Sequence, residues 1–135
     1  MLLSNEGFRR LCHARERLRD CDESAPTIEA LARDLGVSPF HFSRQFEAVF
    51  GTTPHQYRMR ARLDRARDLL AEGRMSVTDI CMDVGFSSLG SFSALFSRTF
   101  GESPTAYARR VRGQNRTPAC LSLMSALDDR SFREA

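Results

Sequence analysis

The chain is 135 residues long, 41% hydrophobic and 27% charged, the size and balance of one folded domain rather than a disordered segment. No run approaches the ~18 apolar residues of a membrane span, and residues 1–10 carry no signal-peptide core, so the cytosol is the expected compartment. All 20 basic residues are arginine, and 17 acids leave a formal charge of only +3, too small by itself to announce a nucleic-acid partner.

In chain order, Phe8, Leu11, Cys12, Arg15 and Leu18 predict a leading amphipathic helix. Ile28, Leu31, Ala32 and Leu35 recur at helical spacing behind Thr27 as N-cap, and Gly36 stands where that helix must end left-handed. Ser38 as N-cap with Pro39 at the first helical position restarts a helix that runs to Gly51. Its Phe42, Phe46 and Phe50 fall at i, i+4, i+8 and read as core, which turns Phe40, His41, Ser43, Arg44 and Glu47 outward. Thr53-Pro54 opens a long helix to about Glu72, ended by Gly73, with Leu63, Ala66, Leu69 and Leu70 on one stripe and Arg58, Arg60, Arg62, Arg65 and Arg67 making it basic. Ser76 and Asp79 resemble a capping box for the next helix, which Gly85 ends. Ser87 or Ser88 caps a helix to Gly101 with Phe92, Phe96 and Phe100 inside and Leu89, Gly90, Ser91, Ala94, Ser97 and Arg98 outside. Ser103-Pro104 opens the last of seven helices, bearing Arg109, Arg110 and Arg112, and no strand is expected. Beyond Gly113 the pattern breaks, although Thr117-Pro118 can start a short helix carrying Cys120, Leu121, Met124 and Leu127. That tail reads as packing back on the domain or as an element for a partner or a second copy.

An internal repeat organises these elements. Ser38–Arg60 and Ser88–Arg110 agree at nine of 23 positions: serines 38/88 and 43/93, phenylalanines 42/92, 46/96 and 50/100, Gly51/Gly101, Pro54/Pro104, Tyr57/Tyr107 and Arg60/Arg110. Upstream, Thr27–Val37 lies over Ser76–Phe86 with Asp34/Asp83 and Gly36/Gly85 identical. Each copy is a short helix, a glycine turn and a second helix, hence a helix-turn-helix. The charge repeats with it, because residues 38–67 and 98–116 each carry +4 while the segments around them are acidic. Cys12, Cys21, Cys81 and Cys120 show no metal-ligand spacing and read as reduced, mostly buried side chains, with no metal, no cofactor and no catalytic residue expected.

A helix-turn-helix reads DNA by placing its second helix in the major groove, and two of them on one chain reach successive grooves if spaced by about one duplex turn, ~34 Å. A helix over 54–72 is about 28 Å long at ~1.5 Å per residue, a fitting strut. The chain is therefore expected to read two successive major-groove segments as a monomer, with the arginines of Thr53–Arg67 and Arg98–Arg116 beside phosphates.

RLDRARDLL (62–70), DICMDVGF (79–86), SFSALFSRTFG (91–101) and SPTAYARR (103–110) resemble the signature of the AraC/XylS transcription regulators over residues 8–112. The resemblance implies an all-α DNA-binding domain of two homeodomain-like three-helix units. These comprise helix-turn-helix one at about 28–50, a linker helix at about 54–72 and helix-turn-helix two at about 77–100, with 113–135 left as a tail. It implies a bacterial, cytoplasmic, nucleoid-associated regulator that binds double-stranded DNA as a monomer, with RNA polymerase as protein partner and activation favoured over repression. No effector domain is visible, which is the pattern of the small stand-alone members. Carried over position by position, the base contacts are Phe40, His41, Ser43, Arg44, Ser91 and Ala94. The backbone contacts are Ser38, Glu47, Thr53, Arg58, Arg60, Ser88, Ser97, Arg98 and Arg110. Arg44 suits a bidentate bond to guanine and Phe40 a thymine methyl. Gly90 and Ala94 stand where the family often carries polar or arginine side chains, so the first copy is expected to supply most of the specificity. Two rivals remain open. One is a protein-interaction or anti-activator module with weakened base reading, which Gly90 and Ala94 favour. The other is a repair enzyme using the fold for DNA targeting, which needs an upstream cysteine cluster where this chain has only Cys12 and Cys21.

Overall fold

The computed structural model describes residues 3–22 and 24–113. The short tail helix expected after Thr117, together with Cys120, lies outside the described residues. Within them the chain forms seven helices and no strand: α1 (Asn5–Leu18), α2 (Ile28–Asp34), α3 (Pro39–Phe50), α4 (Pro54–Glu72), α5 (Val77–Asp83), α6 (Leu89–Phe100) and α7 over residues 104–113. Two compact units divide within α4, between Arg65 and Ala66, and residues Asp83–Gly85 cluster with the first unit.

Local chemistry sets the helix ends of the first unit. The side chains of Ser4, Thr27 and Ser38 accept backbone N–H groups of Gly7, Ala30 and His41, capping α1, α2 and α3. After α2, Gly36 takes φ +75° and the Val37 N–H donates to the Ala32 carbonyl at 3.0 Å, the 6→1 bond of a Schellman turn. The core gathers Leu11, Ala14 and Leu18 of α1, Leu31 and Ala32 of α2, and Phe42 and Phe46 of α3. Phe46 is its hub, with ring centroids of Phe42 at 5.8 Å, Phe50 at 4.6 Å and Tyr57 at 5.8 Å, all edge-on. Two details depart from the sequence reading. Phe8 is 47% exposed, and Phe50 is only half-buried beneath the Arg15 guanidinium, 4.5 Å from its centroid. Cys12 and Cys21 are half-buried, so among the described cysteines only Cys81 lies in a core.

The second unit repeats the device. The Phe86 N–H donates to the Cys81 carbonyl at 3.0 Å, and Ser76 and Ser88 accept the Asp79 and Ser91 N–H groups. Phe96 sits 5.8 Å from Phe92, 4.7 Å from Phe100 and 6.0 Å from Tyr107, and Arg67 covers Phe100 at 4.5 Å. The matching roles of Arg15 and Arg67 expose a longer repeat than the glycine turns mark. RLCHARERL (10–18) aligns with RLDRARDLL (62–70), five of nine residues identical, and the buried trios Leu11, Ala14, Leu18 and Leu63, Ala66, Leu70 correspond. Each helix-turn-helix is thus led by a helix of its own. The later part of α4 leads the second unit, while its first turns close the first through Pro54 and Tyr57.

Arg58 is a buried exception on α4. It is 7% exposed, its Nε donates to the Leu18 carbonyl at 3.4 Å, and its Nη2 is buried without a partner. Burial first, and then neighbouring Arg62, pushes the guanidinium below its usual pKa. The matching position in the second unit is buried Ala108. A desolvated, half-satisfied cation contributes little net stability. Arg58→Met is therefore expected to leave the urea midpoint unchanged or raise it, and a loss of more than about 2 kcal/mol would refute this account.

Candidate nucleic-acid interface

In each unit the second helix of the helix-turn-helix buries two phenylalanines, Phe42 and Phe46 or Phe92 and Phe96, and sets the opposite face toward solvent. On α3, Phe40 is 71% exposed, far more than a core residue would be, and Arg44 and Glu47 are exposed beside it. His41 and Ser43 are half-buried on the flank of that face. Phe40, Ser43, Arg44, Glu47 and Ala48 line one shallow concavity, and the Arg44 Cζ stands 5.5 Å from the Phe40 ring centroid. The first unit therefore brings Phe40, Ser43, Arg44 and Glu47 together as one surface. His41 enters through its backbone, whose N–H donates to Ser38 Oγ at 3.1 Å.

The α6 face has the same placement with less chemistry. Leu89, Gly90, Ser91, Ala94 and Arg98 are exposed and Ser97 is half-buried. Ser88 Oγ, like Ser38 Oγ, is engaged as a cap and accepts the Ser91 N–H at 3.2 Å. The pair Phe40 and Arg44 is replaced at the corresponding positions by Gly90 and Ala94, so this face offers only short hydroxyls, Leu89 and the arginine at its last turn.

At the start of α4 the Thr53 N–H donates to Gln56 Oε1 at 3.1 Å, and the Gln56 N–H returns to Thr53 Oγ1 at 3.2 Å. This capping box leaves the Thr53 hydroxyl accepting the Gln56 N–H. At the same place in the second unit, Arg110 grips Glu102 with Nη2 at 2.6 Å and Nε at 3.2 Å. That bond lowers the pKa of the Glu102 carboxyl and raises that of Arg110.

The basic block of α4 is spent largely on structure. Arg58 is buried, as described. Arg62 is half-buried, with its guanidinium against Gly85 and its Nε buried without a partner, and Arg67 covers Phe100. Arg60 is exposed and pairs with Asp64 at 3.1 Å, and Arg65 is exposed. Arg58, expected at a phosphate, is corrected to an internal ligand of the α1 C-terminus: its head sits in the fold, where the Leu18 carbonyl claims it. No signal in its immediate sequence separates it from Arg60. The matching Ala108 in the other copy, a small residue at a core position, is the clue that would have flagged it. Among the described residues no group of histidines, cysteines and carboxylates is arranged to hold a metal, and no helix is long and apolar enough to cross a membrane.

Two exposed helices, each locked by a Schellman turn onto a three-helix core, define a double helix-turn-helix domain of the DNA-binding class. Comparison with known proteins agrees. Residues 31–110 match the model of a helix-turn-helix domain family. The MmsAB operon regulatory protein of Pseudomonas aeruginosa is 38% identical over 85 residues, covering 63% of this chain and 28% of that protein. The transcriptional activator RhaS of Escherichia fergusonii is 40% identical over 95 residues, covering 70% and 34%. Among solved structures, an AraC-type transcriptional regulator from Chromobacterium violaceum superposes with a TM-score of 0.67 at 30% identity, covering 82% of this chain and 96% of that one. The DNA-binding domain of the global transcriptional factor AdpA, solved with a target DNA, gives 0.65 at 28% identity, covering 79% and 93%. The chain belongs to the AraC/XylS family of transcription regulators. It spans about a third of the length of the curated relatives it matches.

Proposed function

We propose that the chain is a sequence-specific transcription regulator whose residues 8–112 bind double-stranded DNA as a single copy, with α3 in one major-groove segment and α6 in the next. It acts at promoters in the bacterial cytoplasm, on the nucleoid and alongside RNA polymerase, and activates rather than represses. The observation that carries this reading is the α3 face: a large aromatic and an arginine held outward by a core that has no use for them. The name of RhaS, an activator, supports the sign of regulation, and the AdpA domain with its target DNA supports the partner.

Base contacts fall to Phe40, His41, Ser43 and Arg44, with Ser91 and Ala94 as the weaker set. Ser38, Thr53, Arg60, Ser88, Ser97, Arg98 and Arg110 lie along the backbone, Arg110 turning from Glu102 to a phosphate. Glu47 is better suited to a donor such as cytosine N4 than to a phosphate that repels it. With Arg60, Arg98 and Arg110 on phosphates, log Kd should change with log salt at a slope near 0.9 per contact, about 40-fold weaker binding between 50 and 200 mM. Selection of sites from a random duplex library, followed by anisotropy titrations across salt, tests this. Arg98→Ala should lower the slope by about one and keep the preferred sequence, whereas Arg44→Ala should relax the sequence and keep the slope. A slope near zero with no preferred sequence would instead support the interaction-module reading that Gly90 and Ala94 favour.

A further inference from the structure

Phe40 is the most exposed large apolar side chain among the described residues, at 71%. It contributes nothing to the core of its unit, yet its ring stands under the Arg44 guanidinium, 5.5 Å away and one helical turn on. The ring limits the directions the guanidinium can take, so the fork is partly ordered before any ligand arrives. In the other copy both residues are absent together, as Gly90 and Ala94, while Phe92, Phe96 and the caps around them remain.

We propose that Phe40 and Arg44 form one reading unit for two adjacent base pairs, the ring on a pyrimidine C5-methyl and the fork on the O6 and N7 of a neighbouring guanine. The inference rests on the reading of α3 as the base-contacting helix. Adjacency is what the short distance favours. The projection of a 5.5 Å separation on the duplex axis falls short of two base rises, ~6.8 Å. A thymine and a guanine do not pair with each other, so they occupy neighbouring pairs. The methyl is the group recognised because a phenyl ring has neither donor nor acceptor for the exocyclic oxygen or amine. It follows that 5-methylcytosine replaces thymine at this step, while uracil and unmodified cytosine do not. The chemical class of the ligand is thus a C5-methylated pyrimidine beside guanine, and cytosine methylation at such a step becomes a signal the chain can read.

The test uses the full chain and the duplex it selects from a random library. The selected site should contain a thymine and a guanine on adjacent pairs. Exchanging that thymine for deoxyuridine should weaken binding about fourfold, the worth of one methyl group. Cytosine there should bind as weakly as uracil, and 5-methylcytosine should restore the loss. Phe40→Ala should bind the thymine and uracil duplexes equally. Arg44→Lys, which keeps the charge but loses the fork, should give up about 5- to 150-fold of the preference for guanine. Equal affinity for thymine and uracil at every position of a selected site overturns the reading unit while leaving sequence-specific binding intact. Failure to select any site overturns the DNA reading itself. Phe40 and Arg44 lie outside the core, so circular dichroism of both variants should match that of the parent.

Discussion

Replacing Phe46 by alanine is expected to unfold the first unit, and Phe96→Ala the second, each at a cost of about 3–5 kcal/mol. Both rings are fully buried. Each touches three other aromatic rings at edge-on or tilted angles, so truncation removes apolar burial of roughly 1.5–3 kcal/mol and leaves a cavity among groups that cannot collapse. A three-helix unit of about sixty residues is marginal to begin with, because so small a body buries a low fraction of its surface. The local consequence is the sharper test. In Phe46→Ala, amide exchange protection should fall across α1, α2 and α3 while α5 and α6 keep theirs. Phe96→Ala should show the reverse. Phe8→Ala, at a ring 47% exposed, should stay within about 0.5 kcal/mol of the parent. A midpoint shift below about 1 kcal/mol for Phe46→Ala, or equal loss of protection in both units, would contradict the account.

The fold was legible because its punctuation is local. Thr27, Ser38, Ser76 and Ser88 cap the helices they precede, and Gly36 and Gly85 end the helices they follow, through bonds that span no more than five residues. The phenylalanine triplets declare the inward side of their helices by spacing alone, although their last members, Phe50 and Phe100, are only half-buried. The leading helix was harder. Its kinship with residues 62–70 hides under a shift of 52, whereas the glycine turns repeat at 49 and 50, so a search tuned to the turns passes over it. The matched placement of Arg15 on Phe50 and Arg67 on Phe100 brings it out. Exposure of Phe8 was not legible either. A face that alternates correctly along α1 runs past the end of the core it packs on, and nothing in the pattern marks where the core stops.

The arginines show the limit of reading charge from sequence. Residues 38–67 carry +4 as a block, and a block of that size suggests a phosphate surface. Yet an arginine has a long apolar stem and a flat head, and those parts are as useful inside a helical unit as its charge is outside. Arg10 closes the α2 C-terminus through the Asp34 carbonyl at 2.7 Å. Its counterpart Arg62 lies against Gly85, and Arg15 and Arg67 cover ring faces. In a chain without lysine one residue type serves both purposes, so only burial separates them. Among the described arginines of the two basic blocks the exposed heads are Arg44, Arg60, Arg65, Arg98, Arg109 and Arg110, of which Arg44 alone stands on the outward face of α3 or α6 in company with an aromatic ring.

Gly85→Ala is expected to cost about 2–5 kcal/mol, more than Gly36→Ala at the equivalent turn, which should cost about 1–2 kcal/mol. Both glycines hold left-handed backbone, φ +98° and +75°, so both substitutions place a Cβ where an L-residue is strained. The surroundings differ. A Cβ on Gly36 meets nothing within 4 Å, whereas one on Gly85 lies 3.0 Å from Arg62 Cζ and 3.1 Å from its Nε. The Arg62 Nε is itself buried, so the guanidinium has to give by a few tenths of an ångström within packed surroundings. Urea denaturation of the two single variants, together with a cycle through Arg62→Ala, separates the terms. The backbone strain should persist when Arg62 is truncated, and the excess at Gly85 should vanish, a coupling of about 1–3 kcal/mol. Equal costs at the two turns, with no coupling to Arg62, would show that the guanidinium yields freely. The same comparison bears on DNA binding, because the Gly85 turn sets where α6 begins. Gly85→Ala should therefore weaken binding even at urea-free temperatures where the domain stays folded, whereas Arg62→Ala, which leaves the turn its glycine, should not.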